Sequence, residues 1–372
     1  MKSICPICGS DSASLITKID YDLLHPLNKF AVSVNLDYFG CEYCIHYFIT
    51  HNAAINLDHY YATSPGRGWT SGGLNSREGN VLSVVTQELH SLDVRNIFEV
   101  GGGISLLPKH LLSYFSDATY FALDPVLESQ RDSHSFFTDP RFQVVTDLAT
   151  IERSSIDLFL ARQVLEHIPK PLNFLEDLVD KLKPNGYLYL EVPNFQYTVE
   201  NQTWYDICFE HLHYFTVESF STLINRVGLA RIEMGFLNGG HDMYFLCRNQ
   251  GVNEVHLRRE LPPFNLVKPR TPVLPALYIA YGCNSNLESF LNLSGTSNAP
   301  LLIFDDGVDC NKVFFRNKPI IVSKYDRQVL DELNNKFQCK IEIIVFAPFA
   351  FNIIKNRIGD YPNVKSIFAI DQ

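Results

Sequence analysis

The sequence lacks several features that mark common classes of protein. No apolar run reaches the roughly 18 to 20 residues that a helix needs to cross a bilayer, and the first ten residues, MKSICPICGS, contain no apolar core of the signal-peptide kind. Positive charge is in short supply, because 31 Lys and Arg stand against 41 Asp and Glu. A formal net charge of -10 disfavours a general affinity for nucleic acid. We therefore expect a cytoplasmic protein with neither a membrane nor a nucleic acid as its partner.

The cysteines favour a metal site over disulfides. There are nine, an odd number that fits a disulfide-bonded secreted protein poorly in a chain of 372 residues. Four of them form two C-x-x-C pairs about 30 residues apart, which is the spacing of paired knuckles that bind one tetrahedral zinc ion. Two disulfides or a redox pair are the alternatives, but redox chemistry needs only one pair. Because four thiolates leave no open coordination position, we expect a structural Zn²⁺. The predicted ligands are Cys5, Cys8, Cys41 and Cys44.

The length and the distribution of proline indicate three modules. A chain of this size suggests two or three domains, and five prolines in residues 262–275 predict a stiff connector. We predict a zinc-binding module at 1–75, a central domain at 76–255 and a smaller Rossmann-like domain at 256–372. The first turn of this last domain has a single glycine, Gly282, so a dinucleotide site is not expected there.

The central segment alternates strand and helix patterns. A short apolar strand at residues 95–100 runs into three consecutive glycines and then into an apolar helix start, a loop that lets a ligand approach backbone N–H groups. The strand patterns at 120–124 and 142–147 both end in an aspartate, and further strand patterns follow at 156–161 and 187–192. This order predicts an α/β fold, a doubly wound parallel sheet with its ligand at the carboxyl ends of the strands.

Residues 80–250 carry four motifs in the order of a known family. They are E-x-G-x-G, an acid after the second strand, V-L-E-H-I, and L-K-P-x-G-x-L-x-L-E-V-P. The segment resembles the class I S-adenosylmethionine-dependent methyltransferases, and its L-K-P-N-G turn argues against a nicotinamide enzyme. The resemblance implies S-adenosylmethionine as the cofactor. It places Glu99, Gly101 and Gly103 on the methionine and ribose side, Asp124 at the ribose, and Asp147 with Leu148 beside the adenine.

The chain as a whole resembles the sugar C-methyltransferases that act on nucleotide-linked 4-keto-deoxysugars. The most specific motif is E-H-x-x-Y-F, which carries the family's catalytic acid/base pair and corresponds here to Glu210 and His211. In Y-Y-A-T-S, Tyr61 matches a second family motif; in A-R-Q-V-L-E-H, Gln163 matches a cofactor-side amide and His167 an active-site histidine. One departure is Cys208, which stands where the family usually has a tyrosine.

The chemistry implied by this resemblance needs a carbon nucleophile. A base removes a proton beside the ketone, and the resulting enolate attacks the sulfonium methyl group. The predicted base is His211, oriented by Glu210, with His167 and Tyr61 on the enolate-oxygen side. His167 has an alternative structural role, because its segment is common among methyltransferases.

Other functions also fit these residues. An O- or N-methyltransferase can use the same base on a hydroxyl or amine, and a zinc-bearing scaffold without turnover is the non-enzymatic alternative. A surface turn with buried flanks is the plainest interpretation of FEHLHYFT (209–216). The nucleotide, the sugar, the methylated carbon and the oligomeric state stay open.

Overall fold

The strands of the described part of the chain form three β-sheets, and one hydrophobic core cluster is shared by the N-terminal and central sheets. The computed structural model describes residues 2–23, 32–51, 76–103, 105–124, 127, 139–201, 206–250, 277–283, 285–293, 299–306, 312–316, 318–337, 341–347, 350–359, 361–362 and 364–369. The predicted boundaries at 75 and 255 fall outside these residues. Across the described ranges, no helix is both long and apolar enough to cross a membrane.

The N-terminal sheet is antiparallel and has the strand order β1-β2-β3-β4-β10. Its strands are β1 (Lys2–Ser3), β2 (Ala13–Leu23), β3 (Val32–Cys41), β4 (His46–His51) and β10 (His213–Tyr214). Strand β3 shows why the sheet has one buried face: Val34, Leu36 and Tyr38 are buried, whereas Ser33 and Asn35, which alternate with them, are exposed. Strand β10 belongs to the E-H-x-x-Y-F motif, so this motif is hydrogen-bonded into the N-terminal sheet.

The central sheet has seven strands in the order β11-β12-β9-β8-β5-β6-β7. Strands β5 to β9 are parallel, while β12 and β11 are added antiparallel at one edge. In β8, four consecutive residues (158–161) are buried, as expected for a strand covered on both faces. The strands are β5 (Asn96–Val100), β6 (Thr119–Leu123), β7 (Phe142–Val144), β8 (Ile156–Arg162), β9 (Leu182–Pro193), β11 (Leu229–Leu237) and β12 (Asp242–Asn249). The predicted α/β class is confirmed.

Five helices accompany this sheet in the described part of the chain. They are α1 (Ser76–Leu89), α2 (Leu107–Tyr114), α3 (Pro171–Lys181), α4 (Phe195–Asn201) and α5 (Val217–Arg226). Helix α5 begins at a capping box in which Thr216 and Ser219 each bind the other's backbone N–H with a side-chain oxygen. Since this cap follows the E-H-x-x-Y-F motif directly, it fixes the point at which the chain leaves the motif.

The C-terminal sheet has the order β15-β16-β14-β13-β17-β18 and is parallel except for the β15–β16 pair. Its strands are β13 (Tyr278–Tyr281), β14 (Leu302–Phe304), β15 (Lys312–Phe315), β16 (Lys318–Ser323), β17 (Ile341–Val345) and β18 (Val364–Ala369), and its helices are α6 (Ser285–Leu293), α7 (Arg327–Phe337) and α8 (Phe351–Ile358). Helix α6 contacts β2 through Asn292, which accepts from the backbone N–H of Asp22 at 2.7 Å and donates to its carbonyl at 2.8 Å.

Candidate active site

The four paired cysteines lie together beside the N-terminal sheet. Their sulfur atoms are within 4.8 Å of one another, with Cys5–Cys44 and Cys8–Cys41 sulfur distances of 3.6 Å. A tetrahedral ion with Zn–S bonds of about 2.3 Å needs sulfur separations of about 3.8 Å. The cluster therefore fits a structural zinc ion, and all four residues are free thiols rather than disulfides.

Tight turns bring each pair of sulfurs to one point. The N–H of Gly9 donates to the carbonyl of Cys5 at 2.9 Å, and the N–H of Ile45 donates to the carbonyl of Cys41 at 2.9 Å. Gly9 and Ile45 both have left-handed backbones, with φ values of +75° and +56°, a conformation that is unfavourable for β-branched Ile45. Arg226, in the last turn of α5, donates to the Ile7 carbonyl inside the first turn. The cluster is thereby attached to the helix that follows the E-H-x-x-Y-F motif.

We expect about one zinc ion per chain by elemental analysis. Cys8→Ser should remove it, because three thiolates bind zinc less tightly than four, and should lower the midpoint of thermal unfolding. Cys283→Ser, which changes a cysteine of the C-terminal unit, is the matched control and should leave the metal content unchanged. A metal-free protein that is folded and active would contradict the prediction.

The glycine loop after β5 is shaped by close contacts. Gly101 has φ +68°, and a Cβ atom there would lie 2.3 Å from the Val164 side chain. At Gly102 a Cβ would lie 2.3 Å from the Glu99 carboxylate. Gly103, with φ +57°, has no described atom within 4 Å of such a position. The loop therefore packs against Val164 and Glu99 at its first two glycines, whereas there is room for a side chain at the third.

The acidic residue after β6 closes this loop. Asp124 accepts a hydrogen bond from the backbone N–H of Gly103 at 2.9 Å, and the N–H of Gly101 donates to the Leu123 carbonyl at 2.9 Å. Strands β5, β6 and β8 are parallel neighbours, so the predicted cofactor residues that follow them share one edge of the sheet. The chain turns to opposite sides after β5 and β8, which is where such sheets form a ligand crevice.

Glu99 supports the loop from beneath. Its Oε1 accepts from Nη2 of Arg162 at 2.7 Å and from Nε at 3.1 Å, and its Oε2 accepts from the Tyr120 hydroxyl. The carboxylate is almost fully buried. Both oxygens are engaged by protein groups, so this residue braces the glycine loop; its predicted contact with a cofactor stays a prediction.

The other predicted cofactor residues lie at the same edge of the sheet. Asp147 is exposed and accepts from the N–H of Ala149 at 2.8 Å, which begins the short 3₁₀ turn that contains Leu148. Gln163 has a left-handed backbone, with φ +54°, and its amide lies 3.3 Å from Oε1 of Glu191 and 3.3 Å from Oδ1 of Asp242. Gln163 thus connects this edge to the start of β12.

The two predicted catalytic histidines face each other. The rings of His167 and His211 are 4.9 Å apart in an edge-to-face arrangement. Nδ1 of His167 is 3.0 Å from the Glu210 carbonyl, and Nδ1 of His211 is 2.7 Å from the Asp206 carbonyl. Because a carbonyl only accepts, each Nδ1 carries the hydrogen, and the neutral form of each ring has its lone pair on Nε2. Both rings are thus held in the tautomer that can act as a base through Nε2.

A buried glutamate beside these two rings was not predicted from the sequence. Glu166 is 1% exposed, and neither of its carboxylate oxygens has a hydrogen-bond partner among the described residues. Its Oε1 lies 3.8 Å from Nε2 of His167, and burial raises the pKa of Glu166 to about 7. The ligand atoms of Glu166, His167 and His211 lie within 4.8 Å of one another. The V-L-E-H-I motif, which places Glu166 next to His167, was the available signal.

Of the remaining motif residues, the structure describes Glu210 and Cys208 but not Tyr61. Glu210 is buried, and its carbonyl holds His167; the group at Nδ1 of His211 is the Asp206 carbonyl, so the predicted orienting role of the Glu210 carboxylate stays a prediction. Cys208 is buried, which raises the pKa of its thiol. Tyr61 lies outside the described residues.

An ionic network holds the carbonyl that orients His211. Asp206 pairs through its carboxylate with Nε2 of His241 at 2.9 Å, and Nδ1 of His241 lies 2.8 Å from Asp242. Asp242 in turn pairs with Arg77 at 2.7 Å. Burial alone would lower the pKa of His241, but the two aspartates raise it to about 10. His241 is therefore an imidazolium at neutral pH and links the start of β12 to the loop that carries His211.

The sequence comparisons concern the central unit. Residues 77–233 match a family model described as "Methyltransferase domain", which spans less than half of the chain. A Ubiquinone biosynthesis O-methyltransferase of Xanthomonas campestris pv. campestris (strain B100) is 32% identical over 102 residues, 26% of this chain and 43% of the relative. One from Xanthomonas axonopodis pv. citri (strain 306) is 29% identical over 142 residues, 36% of this chain and 59% of the relative. The chain thus spans about half the length of these curated relatives.

Solved structures of methyltransferases also align with part of the chain. The Burkholderia thailandensis 1,6-didemethyltoxoflavin-N1-methyltransferase with bound S-adenosylhomocysteine covers 47% of this chain and 79% of its own, at 14% identity and a TM-score of 0.37. The CurJ carbon methyltransferase covers 47% of this chain and 54% of its own, at 14% identity and a TM-score of 0.37. The family model and the curated relatives support an S-adenosylmethionine-dependent methyltransferase domain in the centre of this chain.

Proposed function

We propose that the protein is an S-adenosylmethionine-dependent C-methyltransferase that acts beside the ketone of a nucleotide-linked 4-keto-deoxysugar, in the biosynthesis of a branched sugar. The observation that carries this proposal is His211, whose Nδ1 is held by the Asp206 carbonyl at 2.7 Å. Its Nε2 lone pair is thereby available to take a proton from a carbon acid. The resemblance of the E-H-x-x-Y-F motif to the sugar C-methyltransferases supplies the substrate class.

The proposed reaction begins with removal of a proton. Nε2 of His211 takes the proton from the carbon beside the ketone, and the electron pair of the C–H bond moves onto the ketone oxygen as an enolate. The enolate carbon then attacks the methyl group, and the C–S bond electrons remain on sulfur, which leaves S-adenosylhomocysteine. The proton on His211 is released to solvent before the next cycle begins. This sequence requires no covalent intermediate with the protein.

His167 is proposed to stabilise the enolate oxygen as an imidazolium. Because its Nδ1 hydrogen is already donated to the Glu210 carbonyl, Nε2 can donate only when it too carries a proton. The carboxyl group of Glu166, 3.8 Å from that nitrogen, favours the charged ring when it is ionised. Tyr61 is the second proposed donor on the resemblance alone.

The proposed cofactor site is tested by one acidic residue. Asp124→Ala removes both the proposed ribose acceptor and the tether to Gly103. A hydrogen bond to a charged group contributes about 1.5 to 3 kcal/mol, so isothermal titration should show S-adenosylhomocysteine binding weakened by roughly 10- to 150-fold.

The matched control for this variant lies at the other end of β6. Asp117 precedes β6 at the amino edge of the sheet and is exposed, with an ion pair to Arg95 at 3.4 Å. Asp117→Ala should therefore leave S-adenosylhomocysteine binding unchanged. Binding of NAD instead of S-adenosylhomocysteine would overturn the cofactor assignment.

A second candidate is an O-methyltransferase for a small molecule. It is favoured by the curated relatives, whose names describe an O-methyltransferase, and the same His211 nitrogen can deprotonate a hydroxyl group. The two candidates differ in the acid that is deprotonated, since only C-methylation requires a ketone beside the reacting carbon.

The test of the proposal uses a panel of nucleotide-linked 4-keto-deoxysugars with methyl-labelled cofactor. We expect label in a new carbon–methyl bond, identified by NMR of the product, and none with the matched 4-hydroxy sugars. Label on oxygen or nitrogen would replace the proposal with the O- or N-methyltransferase candidate.

A further inference from the structure

Glu166 is a buried carboxyl group whose two oxygens lack hydrogen-bond partners among the described residues. Such groups are rare in folded proteins because desolvation of a carboxylate is costly without a compensating charge or hydrogen bond. We propose that Glu166, together with His167 and His211, forms a binding site for a divalent transition-metal ion such as Zn²⁺ or Co²⁺, separate from the four-cysteine cluster.

The geometry of the two imidazoles suits metal ligation. Nδ1 of His211 is 2.7 Å from the Asp206 carbonyl and Nδ1 of His167 is 3.0 Å from the Glu210 carbonyl. Histidines that bind metals usually donate their other ring N–H to such a carbonyl or to a carboxylate, which fixes the ring and exposes the coordinating nitrogen. The two Nε2 atoms and the Glu166 carboxylate are thus three preorganised ligands.

The donor set selects the class of ion. The three ligand atoms lie within 4.8 Å of one another, a distance that a small side-chain movement closes around one ion. Two imidazoles with one carboxylate suit Zn²⁺, Co²⁺ and Ni²⁺, whereas Mg²⁺ and Ca²⁺ prefer oxygen ligands. Three protein ligands also leave coordination positions open to water.

Metal binding and proton abstraction exclude each other at this site. A metal ion on Nε2 of His211 occupies the lone pair that the proposed function assigns to the base. Zn²⁺ therefore acts as a reversible inhibitor of methyl transfer, and this consequence rests on the proposed function. The binding itself does not, because it depends only on the three side chains.

Cobalt is the probe for binding. We expect protein whose cysteine cluster contains zinc to take up one further Co²⁺, seen by ligand-field absorption without the charge-transfer bands that thiolate ligands produce. Removal of an orienting carbonyl or carboxylate partner typically weakens metal binding 10- to 100-fold, so loss of a direct ligand in Glu166→Gln should weaken it by at least about tenfold. Glu176→Gln, on the exposed face of α3, is the matched control and should bind Co²⁺ like the unaltered protein.

His167→Asn provides a second ligand variant if Glu166→Gln does not fold. The proposal is wrong if no Co²⁺ binds beyond the cysteine cluster, if the new bands are those of thiolate ligation, or if both folded variants bind as tightly as the unaltered protein. Added Zn²⁺ should also lower turnover, and a chelator too weak to empty the cysteine cluster should restore it. Co²⁺ binding by a protein that shows no methyl transfer even after the chelator has removed the Co²⁺ would support the site and refute the proposed function, whereas methyl transfer by a protein that binds no Co²⁺ beyond the cysteine cluster would do the reverse.

Discussion

His211→Asn is expected to lower turnover about 100-fold or more, within the range usual for loss of a general base. Asparagine approximates the size of the ring and can still donate to the Asp206 carbonyl, but it has no basic nitrogen at neutral pH. The loss should appear in kcat, measured as methyl transfer at saturating cofactor and substrate. S-adenosylhomocysteine affinity, measured by titration, should change little, because His211 belongs to the loop after α4 and not to the glycine loop.

Two neighbours in the same motif provide comparisons for this variant. Glu210→Gln should cost less turnover than His211→Asn if the carboxylate only assists. His213 lies in β10, with its Nε2 2.9 Å from the Ile168 carbonyl and its Nδ1 3.1 Å from His46, so His213→Asn should reduce stability and leave the chemical step intact. Turnover near that of the unaltered protein in both His211→Asn and Glu210→Gln would assign the segment a structural role only.

The central sheet was predictable from sequence because its signals are local. In β5 and β8, consecutive apolar residues indicate strands buried on both faces, and the glycines at 101–103 follow β5 immediately. The acid after β6 was equally visible, and Asp124 does bind the glycine loop. Such features depend on a few neighbouring residues, so periodicity and turn chemistry reveal them.

The surroundings of the two predicted catalytic histidines, His167 and His211, were not predictable in the same way. Strand β10 pairs with β4, across more than 160 positions of the chain, and no local pattern specifies such a partner. The same holds for Asp242, which meets Arg77 from α1 and His241 beside it. The burial of Glu166 is also a tertiary property, because a glutamate in a short turn is usually solvated.

The ionic network explains how a loop residue, Asp206, can hold His211, the proposed base, in place. Asp206 binds His241 with its carboxylate and His211 with its carbonyl. The ion pairs that fix Asp206 therefore also fix the orientation of the His211 ring. The pKa of His241 is raised to about 10. A group with a raised pKa stabilises the fold fully below the pKa it has in the unfolded chain, here near 6.5, and this stabilisation is lost as the pH rises through about 10. The orientation of His211 is therefore maintained throughout the neutral range.

Solvent exchange distinguishes carbon from oxygen methylation without methyl transfer. With S-adenosylhomocysteine in place of the cofactor, the proposed enolate forms but has no methyl group to attack. In heavy water the protonated imidazole exchanges its hydrogen with solvent and returns deuterium to the carbon. NMR should therefore show slow exchange of one sugar C–H beside the ketone. The exchange should disappear in His211→Asn, because the same nitrogen removes and returns the proton.

Variants of the residues proposed to contact the enolate oxygen should exchange at rates between those of the unaltered protein and His211→Asn. His167→Asn and Tyr61→Phe should slow the exchange to an intermediate degree, because each removes a donor that stabilises the enolate oxygen while the base stays in place. A hydroxyl methyltransferase deprotonates oxygen and has no reason to exchange a carbon-bound proton. Methylated product with the new group on oxygen, and no exchange at carbon in the unaltered protein, would therefore exclude the C-methyltransferase and leave the same His211 nitrogen as the base for a hydroxyl.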